Sequence, residues 1–454
     1  MTVISNRLGV QTEAREFLKL AIPLAGAQVA QAGTGFVDTV MMGWLGQDVI
    51  AAGGLATILF MAFMMTGVGL VSAVSPLVAE AYGSGQTQRI GQLARQGLWV
   101  ALLLSIPAMQ IIAHLNGLMR QFGQTETTVT LADTYLNVMA WGLFPAIAFA
   151  ALRSCIAALS KARPVMFIVF AATLFNIVGN YVLGFGKFGF PNLGIAGLAV
   201  ASTGAHWIMF LSLLVYMLWH QPLRNYSLFR SLHRFEPRIM QQLLWVGGPI
   251  GIAAILEYGL YTTVSFFMGA LGTPALAANQ VVQQTVVIIF MVPLGMSFAA
   301  TVRIGQWFGQ RDWKQIQRAA FVSVGLAILF MLITGIVLFA YPRQIIGLYL
   351  DLNDPANANA LNISISLMRI AAFGLIFDGI QRTTNGVLQG LQDTRIPVLL
   401  GTAGYWGIGL TTSYLLGFHT PLAGMGVWIG TYVGLAAAAI AFLWRFRLIS
   451  QQRC

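Results

Sequence analysis

Twelve long apolar runs constrain this chain more than any other feature of its sequence. They fall near residues 20–43, 50–80, 96–116, 134–159, 164–186, 194–219, 242–270, 277–305, 318–340, 364–390, 396–417 and 422–444. A helix that crosses the hydrocarbon core needs about 20 apolar residues, and each run reaches that length. The longer runs imply tilt or an overhang into the headgroup region. Strands of a membrane barrel are short and alternate in polarity, and these runs do neither. Only 9% of the 454 residues are charged, against 57% hydrophobic. A soluble domain carries roughly 25% charged residues, so there is too little charge here to coat a water-facing surface. The expectation is an all-α integral membrane protein with twelve transmembrane helices. Residues 1–19 read as a polar, amphipathic lead-in (Glu13, Arg15, Glu16, Lys19) with no cleavable apolar leader, so the first run is expected to be retained as a span.

Lys and Arg in the short connections set the orientation. With the N-terminus inside, the inner segments hold 18 Lys and Arg, and the outer loops hold only Arg120, Lys187 and Arg343. Both termini are therefore expected in the cytoplasm, in a multi-pass protein of the inner (plasma) membrane. The net charge of +11 is accounted for by this topology and by anionic lipid at the inner leaflet, with no nucleic acid as partner.

The longest polar linker, 221–239, is basic and separates two similar halves. A shift of 226 residues brings Pro23 onto Pro249, Gly43 onto Gly269, Gly46 onto Gly272, Gly69 onto Gly295 and Gly83 onto Gly309. Further along, the shift drifts to 232–233, and Tyr181–Phe185 (YVLGF) meets Tyr414–Phe418 (YLLGF). Matches kept in register mark a duplication. The expected organisation is an N-lobe of six helices over 1–220, the linker 221–239 and a C-lobe of six helices over 240–454. Each half has an even number of spans, so the lobes are related by an axis along the membrane normal, and transporter sites lie at such a repeat interface near mid-membrane.

Three acids lie within the apolar runs: Asp38, Glu257 and Asp378. An acid at the bilayer centre costs roughly 2.5–3.5 kcal/mol even on insertion scales, so such residues face the bundle interior and mark ion or substrate paths. The alternative is an interhelical ion pair. The available bases, Arg153, Arg303, Arg369 and Arg382, are expected toward helix ends and less deep than the acids. A cavity short of positive charge favours protons, Na⁺ or organic cations, and burial raises a carboxylate's pKa so that it can carry a proton. In the fifth span Asn176 and Asn180 lie one turn apart on one face. With Asp38 they form an oxygen-rich cation site, joined by Thr203 of the sixth span, or else they are interhelical hydrogen-bond glue. Gln280 and Gln283 in the eighth span are candidates for the substrate cavity. The three acids are not repeat-equivalent, so the halves are expected to do different jobs.

No pattern supports enzyme chemistry. The five histidines form no HExxH, and there is no phosphate-binding P-loop, no GxSxG and no DDxxD. No cofactor is expected, and an ion gradient is left as the energy source. Cys155 and Cys454 are not expected to pair. Among 19 Met and 29 Phe, a minority could line an adaptable pocket for organic cations. Pro23, Pro76, Pro107, Pro145, Pro249 and Pro293 fall near or within spans, where they bend helices.

Four segments carry a family resemblance: Val37–Gly46 (VDTVMMGWLG), Asn176–Ala201 (NIVGNYVLGFGKFGFPNLGIAGLAVA), Gly305–Ala320 (GQWFGQRDWKQIQRAA) and Gly386–Pro397 (GVLQGLQDTRIP). Together they resemble the multidrug and toxic compound extrusion (MATE) transporters of the NorM-type branch, over nearly the whole chain. The resemblance implies a V-shaped pair of pseudo-symmetric six-helix lobes. It also implies antiport of organic cations, such as drugs and dyes, against H⁺ or Na⁺ by alternating access, in a monomer. Asp38, Asn176, Asn180 and Thr203 match an N-lobe cation and proton site, and Glu257 and Asp378 match the C-lobe acids. Na⁺ is expected, where it is the coupling ion, at Glu257 and Asp378 or at Asp38 and Asn180. Gln389 and Gln392 stand where the family motif often has Arg and Gly, Gly374 where some relatives have a tyrosine, and Asn180 where some have Asp. These departures leave H⁺ and Na⁺ both open as coupling ions. A lipid-linked oligosaccharide flippase of the same superfamily is the alternative, and the acidic character of the deep charges counts against it.

Overall fold

In lipid a backbone must satisfy its own polar groups, and a helix does this within each segment. The computed structural model is built accordingly. It describes residues 9–453 except Phe122, 221–222, 224–225, 227–233 and Asn353, and every regular element among them is helical. In chain order these are α1 (Val10–Leu45), α2 (Gln47–Val71), α3 (Val74–Gly83), α4 (Thr87–Ile112), α5 (Leu115–Gln121), α6 (Glu126–Ala140), α7 (Leu143–Ala158) and α8 (Arg163–Gly179). A π-helical segment, Asn180–Gly184, continues α8. There follow α9 (Ile195–Trp219), α10 (Pro237–Ala270), α11 (Thr273–Gln310), α12 (Trp313–Ala340), α13 (Pro342–Ile346), a 3₁₀ turn (Pro355–Asn357), α14 (Ala358–Gly390) and α15 (Arg395–Thr402). A second π-helical segment (Ala403–Gly409) leads into α16 (Leu410–Phe418), and α17 (Gly424–Arg453) ends the chain. Three of the inner-segment bases (Arg7, Arg224 and Arg230), one of the five histidines (His233), Cys454 and much of the linker 221–239 lie outside the described residues.

Ten of these helical stretches are long and apolar enough to cross a membrane, and the bent pair α6–α7 makes eleven. The twelfth expected segment is the helical run Arg395–Phe418, in which Thr402, Tyr405, Trp406, Thr411, Thr412, Ser413 and Tyr414 together with the glycines Gly401, Gly404, Gly407 and Gly409 dilute the hydropathy. The chain is thus an all-α multi-pass membrane protein. The fourth span departs from a straight rod. It bends by 44° between Ala140 and Leu143, where Pro145 falls in the first turn of α7, a position that tolerates a missing N–H. Pro76 likewise opens α3 after the break in the second span, whereas Pro23, Pro107, Pro249 and Pro293 sit inside continuous helices. The lead-in is helical over residues 10–19. It is the start of α1, and Glu13 and Phe17 are buried.

The helices pack as two compact units, 26–252 and 1–25 with 253–454. These divisions fall inside α1 and α10, whereas the halves 1–220 and 240–454 would keep each of those helices whole. A glycine seam lies close to each division. In the unit 26–252, a Cβ on Gly69 of α2 would strike the backbone of Gly251 in α10; in the other unit, a Cβ on Gly295 of α11 would strike the backbone of Ala25 in α1. Gly69 and Gly295 are repeat partners, and so are Ala25 and Gly251, each pair 226 residues apart. Helix packing in membranes relies on such close backbone approach at small residues. The duplication also shows in Gly46 and Gly272, which precede α2 and α11 with φ of 131° and 114°, a region that side-chain-bearing residues avoid.

Arg153, Arg303 and Arg382 all have partners inside their unit. Arg303 of α11 makes a two-pronged ion pair with Glu13 of α1, with Nε and Nη2 donating to the carboxylate at 2.8 and 2.5 Å. It also donates to Gln306 and stacks over Trp307. Arg153 of α7 donates to Gln28 of α1 at 2.7 Å. Cys155 is buried and free.

Candidate cation-binding sites

In the unit 26–252, α1, α8 and α9 converge on Asp38. Asn180 Nδ2 donates to Asp38 Oδ1 at 2.5 Å, and Ser202 Oγ donates to Asp38 Oδ2 at 3.2 Å. Asn176 Nδ2 donates to Ser202 Oγ at 2.9 Å, and Asn180 Nδ2 also reaches Asn176 Oδ1 at 3.2 Å. Asn176, Asn180 and Ser202 are buried. Asn180 Oδ1 is buried with no hydrogen-bond partner among the described residues. Asn180 opens the first π-helical segment, and single π-turns inside α-helices mark functional sites often enough to be informative. One turn before Asp38 and Asn176, Thr34 and Thr173 share a hydrogen bond of 2.9 Å that ties α1 to α8. Tyr135 of α6 lies within electrostatic reach of Asp38.

The expected trio of Asp38, Asn176 and Asn180 is therefore brought together. Thr203 is not part of it. Its hydroxyl donates to the carbonyl of Val138 at 3.1 Å, while the neighbouring Ser202 faces the acid. Adjacent helical residues point about 100° apart, and apolar periodicity alone does not tell which of two consecutive hydroxyls faces inward.

In the unit containing 253–454, the expectation that Glu257 lacks a deep base fails. Glu257 of α10 is ion-paired with Arg382 of α14. Arg382 stands one turn after Asp378 and eight residues short of the end of α14, well inside the span. Asp378 is buried, 1% exposed, and its Oδ1 has no hydrogen-bond partner among the described residues. Tyr261, Tyr405 and Tyr432 lie within electrostatic reach of it. The ring of Tyr432, from α17, rests directly on Gly374, so a side chain there would displace it. Gln381 donates to the Tyr405 hydroxyl. Gln283 accepts from Ser265 Oγ at 3.1 Å and from Asn279 Nδ2 at 3.2 Å in a polar network completed by Trp428. Gln280, three residues earlier, is exposed and outside that network. No group of three His, Cys, Asp or Glu placed to hold a metal occurs among the described residues.

The sequence model of the MatE family matches residues 23–182 and 249–415. The chain belongs to the MATE family. Its two matched stretches are the two repeats. It is 77% identical to a "Probable multidrug resistance protein NorM" of Synechocystis sp. over 449 residues, 99% of this chain and 97% of that protein. It is 48% identical to a protein of the same description from Synechococcus sp., again over 99% of this chain and 97% of that protein. Among solved structures it resembles a MATE transporter in a straight conformation, with a TM-score of 0.89 at 21% identity, covering 99% of this chain and 100% of that chain. A eukaryotic MATE transporter gives a TM-score of 0.86 at 21% identity, over 97% of both chains. These structural likenesses carry the MATE fold of twelve helices in two six-helix lobes.

Proposed function

We propose that this MATE-family chain is a multidrug efflux antiporter, expelling small organic cations in exchange for H⁺ or Na⁺ by alternating access. The relatives that match nearly the whole chain are named for multidrug resistance, which supports export of drugs as the activity. The observation that carries the cation reading is Asp38. It is an acid within a span held by two neutral donors, and the carbonyl oxygen of the neighbouring Asn180 has no partner among the described residues. A carboxylate and amide and hydroxyl oxygens suit a proton or a hard cation such as Na⁺. Glu257 and Asp378 supply the second acidic region.

A lipophilic cation enters from the cytoplasm or inner leaflet and neutralises one or more of the acids. External H⁺ or Na⁺ then takes Asp38 or the Glu257/Asp378 region and drives the cation outward. Two ligands that need the same negative charge disfavour joint occupancy, and that disfavour is the coupling. We place the protein in the inner membrane as a monomer with both termini cytoplasmic, as the Lys and Arg distribution supports.

The test is efflux of ethidium from proteoliposomes, with a pH gradient and a Na⁺ gradient imposed separately. Export under one gradient alone names the coupling ion. Absence of export under both, from folded protein and across several cations, sinks the antiport reading and favours the flippase alternative.

A further inference from the structure

The ion pair of Glu257 and Arg382 has side chains only 13% and 12% exposed, and the guanidinium carbon of Arg382 lies 4.6 Å from the ring centroid of Phe290 on α11. A flat, delocalised cation thus has a carboxylate at its edge and an aromatic face beneath it. That is the arrangement by which a protein recognises a planar organic cation. Here the occupant belongs to the chain itself. One turn earlier on α14, Asp378 keeps an oxygen with no partner among the described residues, and among the same residues Arg382 Nε has none either. Residues four apart on a helix are neighbours, so Asp378 is within the guanidinium's reach by side-chain rotation.

We propose that Arg382 is a tethered cation seated in a subsite for planar organic cations made by Glu257 and Phe290, and that such a cation enters by displacing Arg382 onto Asp378. The proposal rests on the reading that Glu257 binds exported cations. A buried carboxylate stripped of its partner is costly, as is a stripped guanidinium, so neither can be vacated without a substitute. The exchange supplies both: the incoming cation takes Glu257, and Asp378 takes Arg382. Two carboxylates and one guanidinium leave one negative charge, which one monovalent cation balances. The subsite therefore selects singly charged planar cations over compact ammonium ions, which gain less from the face of Phe290.

The test is ethidium binding to the full-length protein in lipid nanodiscs, followed by fluorescence anisotropy in potassium buffer. Removing the competing guanidinium with Arg382→Gln is expected to tighten binding about tenfold or more, because the subsite is no longer mostly occupied. In that background, Phe290→Leu is expected to weaken binding about threefold, the scale of a cation–π contact. Glu257→Gln is expected to lose the binding. Unchanged or weaker binding by folded Arg382→Gln, with binding lost in Glu257→Gln, overturns the proposal and leaves the Glu257 reading standing. Unchanged binding by Glu257→Gln removes that reading and the proposal with it. Should Arg382→Gln fail to fold, Arg382→Lys keeps the charge without the planar face. Folded Arg382→Lys is expected to bind ethidium more tightly than the wild type, and equal or weaker binding overturns the proposal.

Discussion

In the unit 26–252, Asp38 is held by an amide and a hydroxyl. In the other unit, Glu257 is held by a guanidinium, and Asp378 keeps a buried oxygen with no partner among the described residues. Neutral donors orient a carboxylate without neutralising it, so on the proposed reading an ion would bind and leave Asp38 without displacing another cation. An acid that already has a cation can accept a second only by exchange. One duplicated architecture thus carries two ways of presenting a negative charge. The difference lies in single residues: repeat alignment puts Val264 opposite Asp38, Gln31 opposite Glu257 and Ala146 opposite Asp378.

The comparison can be broken at several points. The largest effect is expected at Arg303→Ala, which leaves Glu13 buried without its partner and should cost about 3–5 kcal/mol of stability. Denaturation of the purified protein measures it. Glu13→Gln combined with Arg303→Met should recover most of the loss, and an unaltered single variant refutes a structural role for the pair. Next is Asp38→Asn, expected to weaken ion binding by about 1.5–3 kcal/mol because the neutral amide no longer offers the arriving ion a charged partner, and to abolish gradient-driven efflux with expression intact. Full efflux by this variant, by Glu257→Gln and by the double variant would refute the shared-charge mechanism. Gly69→Ala and Gly295→Ala should each cost about 1–3 kcal/mol, since the added methyl meets backbone in a filled seam. Unequal costs would mean that the duplicated seams have diverged in packing. The smallest effect is expected at Ser202→Ala, about 0.5–1.5 kcal/mol in ion affinity, with Thr203→Ala leaving that affinity unchanged. The reverse order of these two in a binding titration would restore Thr203 to the site.

How much of this is legible in the sequence depends on distance along the chain. Apolar run length is a local property, so the all-helical membrane class and all twelve runs, 396–417 among them, could be read directly. Asn176 and Asn180 share a helical face by spacing alone, and Asp38 joins them as the polar residue of another span. The pairing of Glu13 with Arg303 bridges 290 positions, and that of Glu257 with Arg382 bridges 125. No local pattern encodes such partners. A signal for the second did exist, since Arg382 follows Asp378 by one turn and so shares its depth. Ser202 and Tyr432 were invisible for a geometric reason: helix rotation selects one of two adjacent hydroxyls, and the bare Gly374 admits a ring from a distant helix.

The glycine seams bear on how the chain is made. Ala25 of α1 finds its backbone neighbour at Gly295, and Gly69 waits for Gly251. When the ribosome has delivered only the first 220 residues, both surfaces are still bare, and no early pause can complete either bundle. Assembly must then be late and mutual, so a chain truncated at the linker should be handled by quality-control proteases as an orphan, while two separately expressed fragments rescue each other.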